Sequence, residues 1–571
     1  MNEEAVKQLT REGCMVGKDA AEQLTEEDVE MISDLEATPM YVSRDMIEQI
    51  RERVSQKVVV GSSGFQSQEL EQRSAGAATQ PIPEDEQGEP EPVEEEERDE
   101  EVGESEAQEA ETGETDISEM EGANADGGDP EKEDSSTGDV EVEDVYRNTG
   151  NKFSASKTVV LKDDRGREEM DTKVEVMDEY EVSEDEKDVP EFLGYYNDRY
   201  ERMKKLLMRR SELQSATSIK RLERRSEGDE ATTIGLVKDK YSTNSGKYIV
   251  TLEDKTGTFK ALVDERDGRK IVQDEMLGVS GSMGGDIIYA DSVVRPDLPI
   301  PDGVTTTKDE VKAAYISDLH IGSEDTLDDR LDRFAEWLNT SDASKIGYLV
   351  MPGDVVEGVG VYPSQEDELV ITSIYKQYER FEDWVEKVPE DIQVIIGPGN
   401  HDITRLAEPQ PPVSEEALPR ISDFNNVHLV SNPQTVRLHG IRSKGIKNLM
   451  YHGYSFDEHI DKIKELREKA YDNPYHVMVD LLKRRHLAPS YGSNLLSPEE
   501  EDHLVIDEKP DIFVSGHLHS HSVYSYKGVS VIAASTFQAQ TDFQKRVGHE
   551  PDPGKVTIVN YKNRNTEVKQ F

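Results

Sequence analysis

The sequence predicts a mixed α/β chain in which a small β-barrel precedes a larger domain of layered helices and sheets. Three observations support this fold class. Short β-rich runs fill residues 228–300, five buried apolar runs end in sharp turns beyond residue 301, and residues 61–150 contain almost no aromatic side chains. Closely spaced short strands are typical of a barrel, and buried strands between amphipathic helices indicate a layered α/β domain.

Length and charge limit the class of protein. The chain has 571 residues, enough for three or four domains of about 150 residues each. It carries 122 acidic against 66 basic residues, a net charge of -56, and the stretch from Pro81 to Val145 holds 29 acidic and 2 basic residues. Such repulsion destabilises a compact state unless salt screens it. We therefore expect a salt-loaded cytoplasm, with an acidic mesophilic protein as the alternative.

Other features bear on location and metal chemistry. No run reaches the roughly 18 consecutive apolar residues of a membrane span, and the first residues lack the pattern of a secretory signal. We expect a cytoplasmic protein with no membrane partner. A single cysteine, Cys14, excludes an internal disulfide framework and cysteine-rich zinc modules. Any metal site must therefore use His, Asp, Glu or Asn.

Composition divides the chain into five predicted segments. A small helical domain is expected at 1–60, a disordered acidic linker at 61–150, a partly helical connecting segment at 151–227, a barrel that is plausibly an OB-fold at 228–300, and the layered α/β domain at 301–571. The linker cannot bury enough apolar area to offset its chain entropy. The barrel has too few aromatic residues to predict a base-stacking surface, so it either packs against its neighbours or contacts DNA.

Candidate chemistry concentrates in the last segment, which holds all 13 histidines, the first being His320. Each of five apolar runs there precedes polar residues of the kinds that bind metals. Val311–Ile316 precedes Asp318 and His320, Ile346–Met351 precedes Asp354, Ile392–Ile396 precedes Asn400 and His401, Leu449–Tyr451 precedes His452, and Ile512–Val514 precedes His517 and His519. Sites in open α/β sheets lie beyond the carboxyl ends of the strands, so these residues should converge.

The donor types predict a pair of divalent ions. Carboxylate, imidazole and amide groups without thiolates suit Mn²⁺, Fe or Zn²⁺ better than Ca²⁺. Even seven of these donors are too many for one ion, whereas a shared carboxylate suits two ions about 3.5 to 4 Å apart. Such a pair stabilises the charge that develops on an attacked phosphorus. The donor types leave Mn²⁺, Fe, Zn²⁺ and Mg²⁺ open at this point.

These motifs resemble the calcineurin-like metallophosphoesterase superfamily, and no position of its pattern is substituted. The resemblance implies that one ion is held by Asp318, His320 and His519, that the other is held by Asn400, His452 and His517, and that Asp354 bridges them. It also implies that His401 protonates the leaving oxygen or stabilises the transition state, a role that suits an imidazole near neutral pH.

Longer sequence segments point to one family within this superfamily. Residues 353–363, 451–457, 486–492 and 510–517 closely resemble the small subunits of archaeal D-family DNA polymerases, and the likeness extends from about Ala231 to Phe571. It implies a 3′-to-5′ exonuclease that usually uses Mn²⁺, a large catalytic subunit as partner, a DNA primer terminus as substrate and further replication factors as possible partners. The DNA-binding residues are not identified.

Two other functions stay open. The domain could be a non-catalytic scaffold for a polymerase, although scaffolding does not require seven chelating groups, or it could be a stand-alone metallophosphodiesterase. Tyr362 and Tyr454 adjoin the motifs and either stack on a base or wall the pocket. Three further histidines, His459, His476 and His486, are interpreted as packing or surface residues, although His486 lies in a segment that resembles the family. His521, two residues after His519, is interpreted as a surface residue, with a substrate contact as the alternative.

Overall fold

The computed structural model describes residues 15–16, 25, 41–42, 172–180, 189–362, 365–440, 445–492, 494–497 and 499–571. The predicted linker and most of the predicted N-terminal helical domain lie outside these residues. The chain divides into two compact units, Met1–Gly150 and Asn151–Phe571. In the first unit, β1 (Met15–Val16) pairs in parallel with β2 (Tyr41–Val42).

A closed five-stranded barrel lies near the start of the second unit, where the sequence predicts one. Its strands are β4 (Glu230–Ser242), β5 (Tyr248–Asp254), β6 (Gly257–Val263), β7 (Met276–Met283) and β8 (Ile287–Val294). They close in the order β4-β5-β6-β8-β7, with β6 and β8 parallel. Helices α1 (Val189–Leu207), α2 (Ile219–Leu222) and α3 (Glu265–Gly268) accompany the barrel, and α1 and α2 pack apolar side chains against it.

Two six-stranded sheets pack face to face beyond the barrel. The first sheet is built from β9 (Lys312–Tyr315), β10 (Ile346–Met351), β11 (Gln393–Ile396), β12 (Val427–Leu429), β18 (Lys555–Asn560) and β19 (Thr566–Gln570). The second is built from β3 (Val174–Met177), β13 (Gln434–Leu438), β14 (Ile446–Met450), β15 (Ile512–Ser515), β16 (Ser522–Tyr526) and β17 (Val529–Ala533). The strand order is β12-β11-β10-β9-β18-β19 in the first sheet and β16-β17-β15-β14-β13-β3 in the second.

Helices cover the outer faces of both sheets and make four layers. Alternate residues of the strands point to different cores: Tyr348 and Val350 enter the core between the sheets, whereas Leu349 and Met351 enter the core under the helices. Strands buried on both faces read as continuous apolar runs, which explains why they are visible in the sequence. The covering helices are α4 (Asp328–Leu338), α5 (Ile374–Val385), α6 (Phe456–Lys462), α7 (Lys464–Arg467) and α8 (Tyr475–Arg484). A further helix, α9 (Asp542–Val547), buries none of its residues.

All five predicted apolar runs form strands, but they divide between the two sheets. Strands β9, β10 and β11 are parallel neighbours in the first sheet, and β14 and β15 are parallel neighbours in the second. The predicted convergence of the loops therefore takes place across a sandwich rather than along one sheet. Within the described residues, no helix is both long enough and apolar enough to span a bilayer.

A buried ion pair joins α1 to the layered domain. Arg199 Nε donates to Asp502 Oδ2 at 2.5 Å, and His486 Nε2 lies 2.9 Å from the same oxygen. All three side chains are buried. Burial and the nearby Arg199 lower the pKa of His486 to about 4, so this histidine is neutral and serves packing, as the sequence predicts.

Removing this carboxylate should destabilise the unit strongly. Asp502→Ala leaves Arg199 buried without its ionic partner, which typically costs about 3 to 5 kcal/mol. We expect a correspondingly lower free energy of unfolding in denaturant titrations. The matched control is Asp383→Ala, which breaks an exposed pair with Arg420 and should change stability far less. Equal effects of the two substitutions would contradict this assignment.

The other three histidines interpreted as structural make contacts of that kind. His459 Nε2 lies 2.8 Å from Asp480 Oδ2, and His521 Nε2 lies 2.8 Å from Thr557 Oγ1. The His476 ring stacks on Tyr475 with centroids 4.1 Å apart. None of the three belongs to the groups of converging ligand atoms that the structure contains among its described residues.

Candidate metal centre

The loop after β9 carries two of the predicted ligands, Asp318 and His320. Both are buried, and both have left-handed backbone conformations, with φ of 54° and 48°. Asp318 accepts hydrogen bonds from the backbone N–H of His517, at 3.0 and 3.1 Å. This contact ties the loop after β9 in the first sheet to the loop after β15 in the second.

Backbone strain is concentrated in this group of loops. Among the described non-glycine residues, twelve have positive φ, and five of these are predicted ligands: Asp318, His320, Asp354, His517 and His519. A left-handed conformation costs a residue with a β-carbon free energy and persists only where the surroundings impose it. The clustering indicates that the fold sustains strain in order to aim these side chains.

Asp354, after β10, lies at the middle of the cluster. Its Oδ2 is 3.1 Å from His452 Nε2 and 3.9 Å from His320 Nε2, and its Oδ1 accepts the backbone N–H of His401 at 2.8 Å. A β-carbon at Gly399 would lie 2.1 Å from Asp354 Oδ1, so only glycine allows the two loops to approach this closely.

Asp402 clamps the same two loops together. Its Oδ2 accepts backbone N–H groups from Asp354 at 2.9 Å and Gly399 at 2.8 Å, while Tyr378 donates to its Oδ1 at 3.0 Å. Burial and the adjacent Asp354 carboxylate raise the pKa of Asp402 to about 6. Asp402 is therefore a buried residue that holds the two loops together through their backbone N–H groups.

The structure brings six of the predicted residues into three overlapping groups. In each group the ligand atoms lie within 4.8 Å of one another. The groups are Asp318 with His320 and His519, His320 with Asp354 and His401, and Asp318 with Asp354 and His452. Asn400 joins them through its Oδ1, which lies 3.0 Å from His452 Nε2.

His517 stands at the edge of this cluster. Its Nε2 lies 2.8 Å from Asp457 Oδ2, and its ring packs edge-on against that of His452 at 5.2 Å. It is not a member of the three groups found among the described residues. Because Asp457 engages Nε2, Nδ1 is the nitrogen through which His517 could bind an ion.

The donor set fits divalent ions. His320 Nε2 and His519 Nε2 face each other at 3.0 Å. Glu357 Oε2 accepts from His320 Nδ1 at 2.8 Å, and the Gln544 amide N–H donates to His519 Nδ1 at 2.9 Å. For His519 to bind an ion through Nε2, the Gln544 amide must therefore turn its oxygen toward Nδ1. Two imidazole nitrogens directed at one point beside a carboxylate form a site for a cation. Nδ1 of His452 is buried without a hydrogen-bond partner in the described structure.

The electrostatics of the cluster also favour positive charge. Burial lowers the pKa of His320, but Glu357 and then Asp354 and Asp318 raise it to about 9. Burial opposes charge on Asp354, yet His452 and His401 hold its pKa well below the usual range. The carboxylates are therefore ionised at neutral pH and attract protons or metal ions to the same nitrogens.

Glu357 is a functional candidate that the sequence reasoning missed. It is buried three residues after Asp354, and its Oε2 also accepts from Gln538 at 2.9 Å. Its backbone oxygen lies 2.7 Å from His401 Nδ1. Its nearness to Asp354 was the available signal, whereas nothing in the sequence indicates Asp457 or Gln544 as partners of His517 and His519.

Substituting Glu357 should weaken metal binding. Glu357→Gln removes the charge that orients His320, and the loss of such a partner typically lowers metal affinity about 10- to 100-fold. Calorimetric titration with Mn²⁺ measures this effect. The control is Glu368→Gln, since Glu368 accepts from Tyr362 at 2.8 Å and belongs to none of the ligand groups found among the described residues. Equal affinities in both variants would argue against the orienting role.

Comparisons with known proteins identify the family. Residues 313–523 match the family model that describes the B subunits of DNA polymerases alpha and epsilon. The DNA polymerase II small subunit of Archaeoglobus fulgidus is 38% identical over 382 residues, which cover 65% of this chain and 75% of that protein. The chain belongs to the family of archaeal DNA polymerase II small subunits.

Further members agree at similar levels. The DNA polymerase II small subunit from Methanothermobacter thermautotrophicus is 37% identical, and the alignment covers 65% of this chain and 78% of that protein. The small subunit from Halobacterium salinarum is 39% identical, and the alignment covers 67% of this chain and 75% of that protein. A solved structure of a novel archaeal phosphodiesterase aligns with 46% of this chain and 100% of its own, at 13% identity and a TM-score of 0.22. A likeness this weak indicates neither fold nor activity.

Proposed function

We propose that the chain is the 3′-to-5′ exonuclease subunit of a two-subunit replicative DNA polymerase, with a large catalytic subunit as its partner and a DNA primer terminus as its substrate. Convergence of the predicted ligands carries this proposal. Asp318, His320, Asp354, His452 and His519 are buried. Burying so many ionisable groups is costly unless they bind ions or perform chemistry, so a purely structural role explains them poorly.

We assign Asp318, His320 and His519 to one ion and Asn400, His452 and His517 to the other, with Asp354 shared. When bound, the ions would polarise the phosphodiester and stabilise its developing negative charge. Mn²⁺ is the proposed metal, since oxygen and imidazole donors suit it.

His401 is the proposed acid. A carbonyl oxygen can only accept, so the 2.7 Å contact with the Glu357 oxygen places a hydrogen on His401 Nδ1 and leaves Nε2 for proton transfer to the leaving oxygen. The ring packs edge-on against His320 at 4.7 Å, which keeps it beside the metal ligands. A fixed tautomer and a fixed position are what proton transfer requires.

The same proposal includes the boundaries of two domains and the fold that each of them adopts. The strand order β4-β5-β6-β8-β7, which is first-second-third-fifth-fourth around the barrel, supports an OB-fold at 228–300. The four layers that follow support a calcineurin-like phosphoesterase domain at 301–571. The expectation of a high-salt cytoplasm and the segments predicted before residue 228 stay predictions.

The deciding experiment uses the full-length chain with Mn²⁺ and a primer that ends in a 3′ mismatch. We expect stepwise removal of nucleotides from the 3′ end, and we expect a large polymerase subunit to co-purify from native extract at molar salt. A primer whose last internucleotide linkage is a phosphorothioate controls for the bond that is cut. If none of Mn²⁺, Mg²⁺, Zn²⁺ and Fe²⁺ supports hydrolysis, the exonuclease proposal is wrong and the chain is a non-catalytic scaffold of the polymerase.

A further inference from the structure

The short helix α9 (Asp542–Val547), here called the rim helix, lies against the candidate metal centre but contributes nothing to a core. None of its residues is buried. Polar contacts hold it in place: a capping box between Thr541 and Gln544 starts it, and the Gln544 amide lies 2.9 Å from His519 Nδ1. Beyond its end, His549 Nε2 lies 2.6 Å from the Leu518 oxygen. Both outer contacts reach the loop that carries His519.

The rim helix exposes an apolar face beside this contact. Phe543 is 56% exposed and Val547 is 60% exposed, and residues four apart lie on the same side of a helix. Lys545 and Arg546 are exposed between them. Phe543 directly precedes Gln544, so an aromatic ring stands in solvent one residue from a group that touches a predicted ligand.

The charge of the chain limits how it can hold DNA. At a net charge of -56 the protein as a whole repels a polyanion. At molar salt the screening length is about 3 Å, and the gain from releasing counterions of the phosphates is small. Stacking between a base and an aromatic ring needs neither net charge nor low salt.

We propose that Phe543 stacks on a base of the single-stranded 3′ end whose phosphodiester lies at the candidate metal centre. The inference rests on the proposed function and adds a residue that selects nucleic acid over small phosphodiesters. Lys545 forms a 2.8 Å ion pair with Asp542, and Arg546 Nε donates to the Asp542 backbone oxygen at 3.3 Å, so the terminal N–H groups of Arg546 are the candidates for a phosphate contact. The alternative is that a protein partner covers Phe543. DNA is favoured because the rim helix contacts His519, a predicted metal ligand.

The test compares Phe543→Ala with the unaltered full-length chain on two substrates and in one binding assay. With Mn²⁺, we expect Phe543→Ala to raise KM for a single-stranded oligonucleotide about tenfold, the usual scale for one stacked base. Hydrolysis of bis(p-nitrophenyl) phosphate, which offers no nucleobase, should stay within about twofold. Fluorescence anisotropy without metal should show the same loss of oligonucleotide affinity. Phe543→Trp should keep the oligonucleotide KM and affinity of the unaltered chain, whereas Phe543→Leu should show the same losses as Phe543→Ala.

Ile300→Ala is the matched control, since it removes an apolar side chain that is 84% exposed and belongs to the strand-free segment after the barrel. Equal losses on both substrates would overturn the inference in favour of a structural role through Gln544. Unchanged oligonucleotide binding would overturn it as well, and lost co-purification of the large subunit would then assign Phe543 to a protein interface. If the unaltered chain hydrolyses nothing but Phe543→Ala still weakens binding, the stacking stands and the proposed activity fails.

Discussion

Replacing Asp354 with alanine is expected to abolish metal-dependent hydrolysis. Asp354 is the carboxylate through which two of the three ligand groups overlap, and it faces both His320 and His452. Losing it removes negative charge from the middle of the cluster, so both proposed ions lose a ligand. We expect a fall in kcat of about a thousandfold or more, as when a group used by the whole catalytic unit is removed. Bound manganese should fall in parallel.

The measurement pairs turnover of a 3′-mismatched primer with metal content after gel filtration. Asp402→Asn serves as a control for general disturbance of the loops, because Asp402 binds backbone N–H groups and does not face the cluster. Asp402→Asn should lower the free energy of unfolding but leave the manganese content close to that of the unaltered chain. Asp354→Ala protein that retains its manganese and its turnover would contradict the assignment of a shared carboxylate.

Replacing His401 with alanine is expected to separate catalysis from metal binding. The resemblance assigns His401 to proton transfer, and its backbone N–H, which alanine keeps, makes the contact with Asp354. We expect kcat to fall about 100- to 10,000-fold, the usual range for a general acid. Manganese content should stay near that of the unaltered chain.

Glu357→Gln provides the comparison for this variant, since it should lower metal affinity and leave the His401 ring in place. A loss of manganese from His401→Ala as large as that from Asp354→Ala would make His401 a ligand. The second ligand group, in which His401 accompanies His320 and Asp354, gives that outcome a structural basis.

Much of the layered domain could be predicted because its strands are buried on both faces. Ile346–Met351 is continuous and apolar in the sequence, and it is β10 with the same bounds. The turns that follow such strands carry the ligands, so their order along the chain indicated the site. The approach of Asp318, Asp354 and His452 agrees with that prediction.

What could not be predicted depends on contacts between distant parts of the chain. Continuous apolar runs do not reveal which sheet a strand joins, so the division of β11 and β14 between two sheets was hidden. Gln544 reaches His519 over 25 positions, and Asp457 reaches His517 over 60. Only the fold brings these pairs together. Glu357 lies only three residues after the predicted ligand Asp354, but a single carboxylate in so acidic a chain does not by itself indicate a functional residue.

The binding of two ions by one pocket is tested most directly by anomalous diffraction from a crystal of the full-length chain soaked in manganese. We predict two peaks that share Asp354, one beside Asp318, His320 and His519 and the other beside Asn400, His452 and His517. A pocket without manganese, or a single peak that does not touch Asp354, would contradict the proposed nuclease and leave a protein that serves its polymerase only by binding.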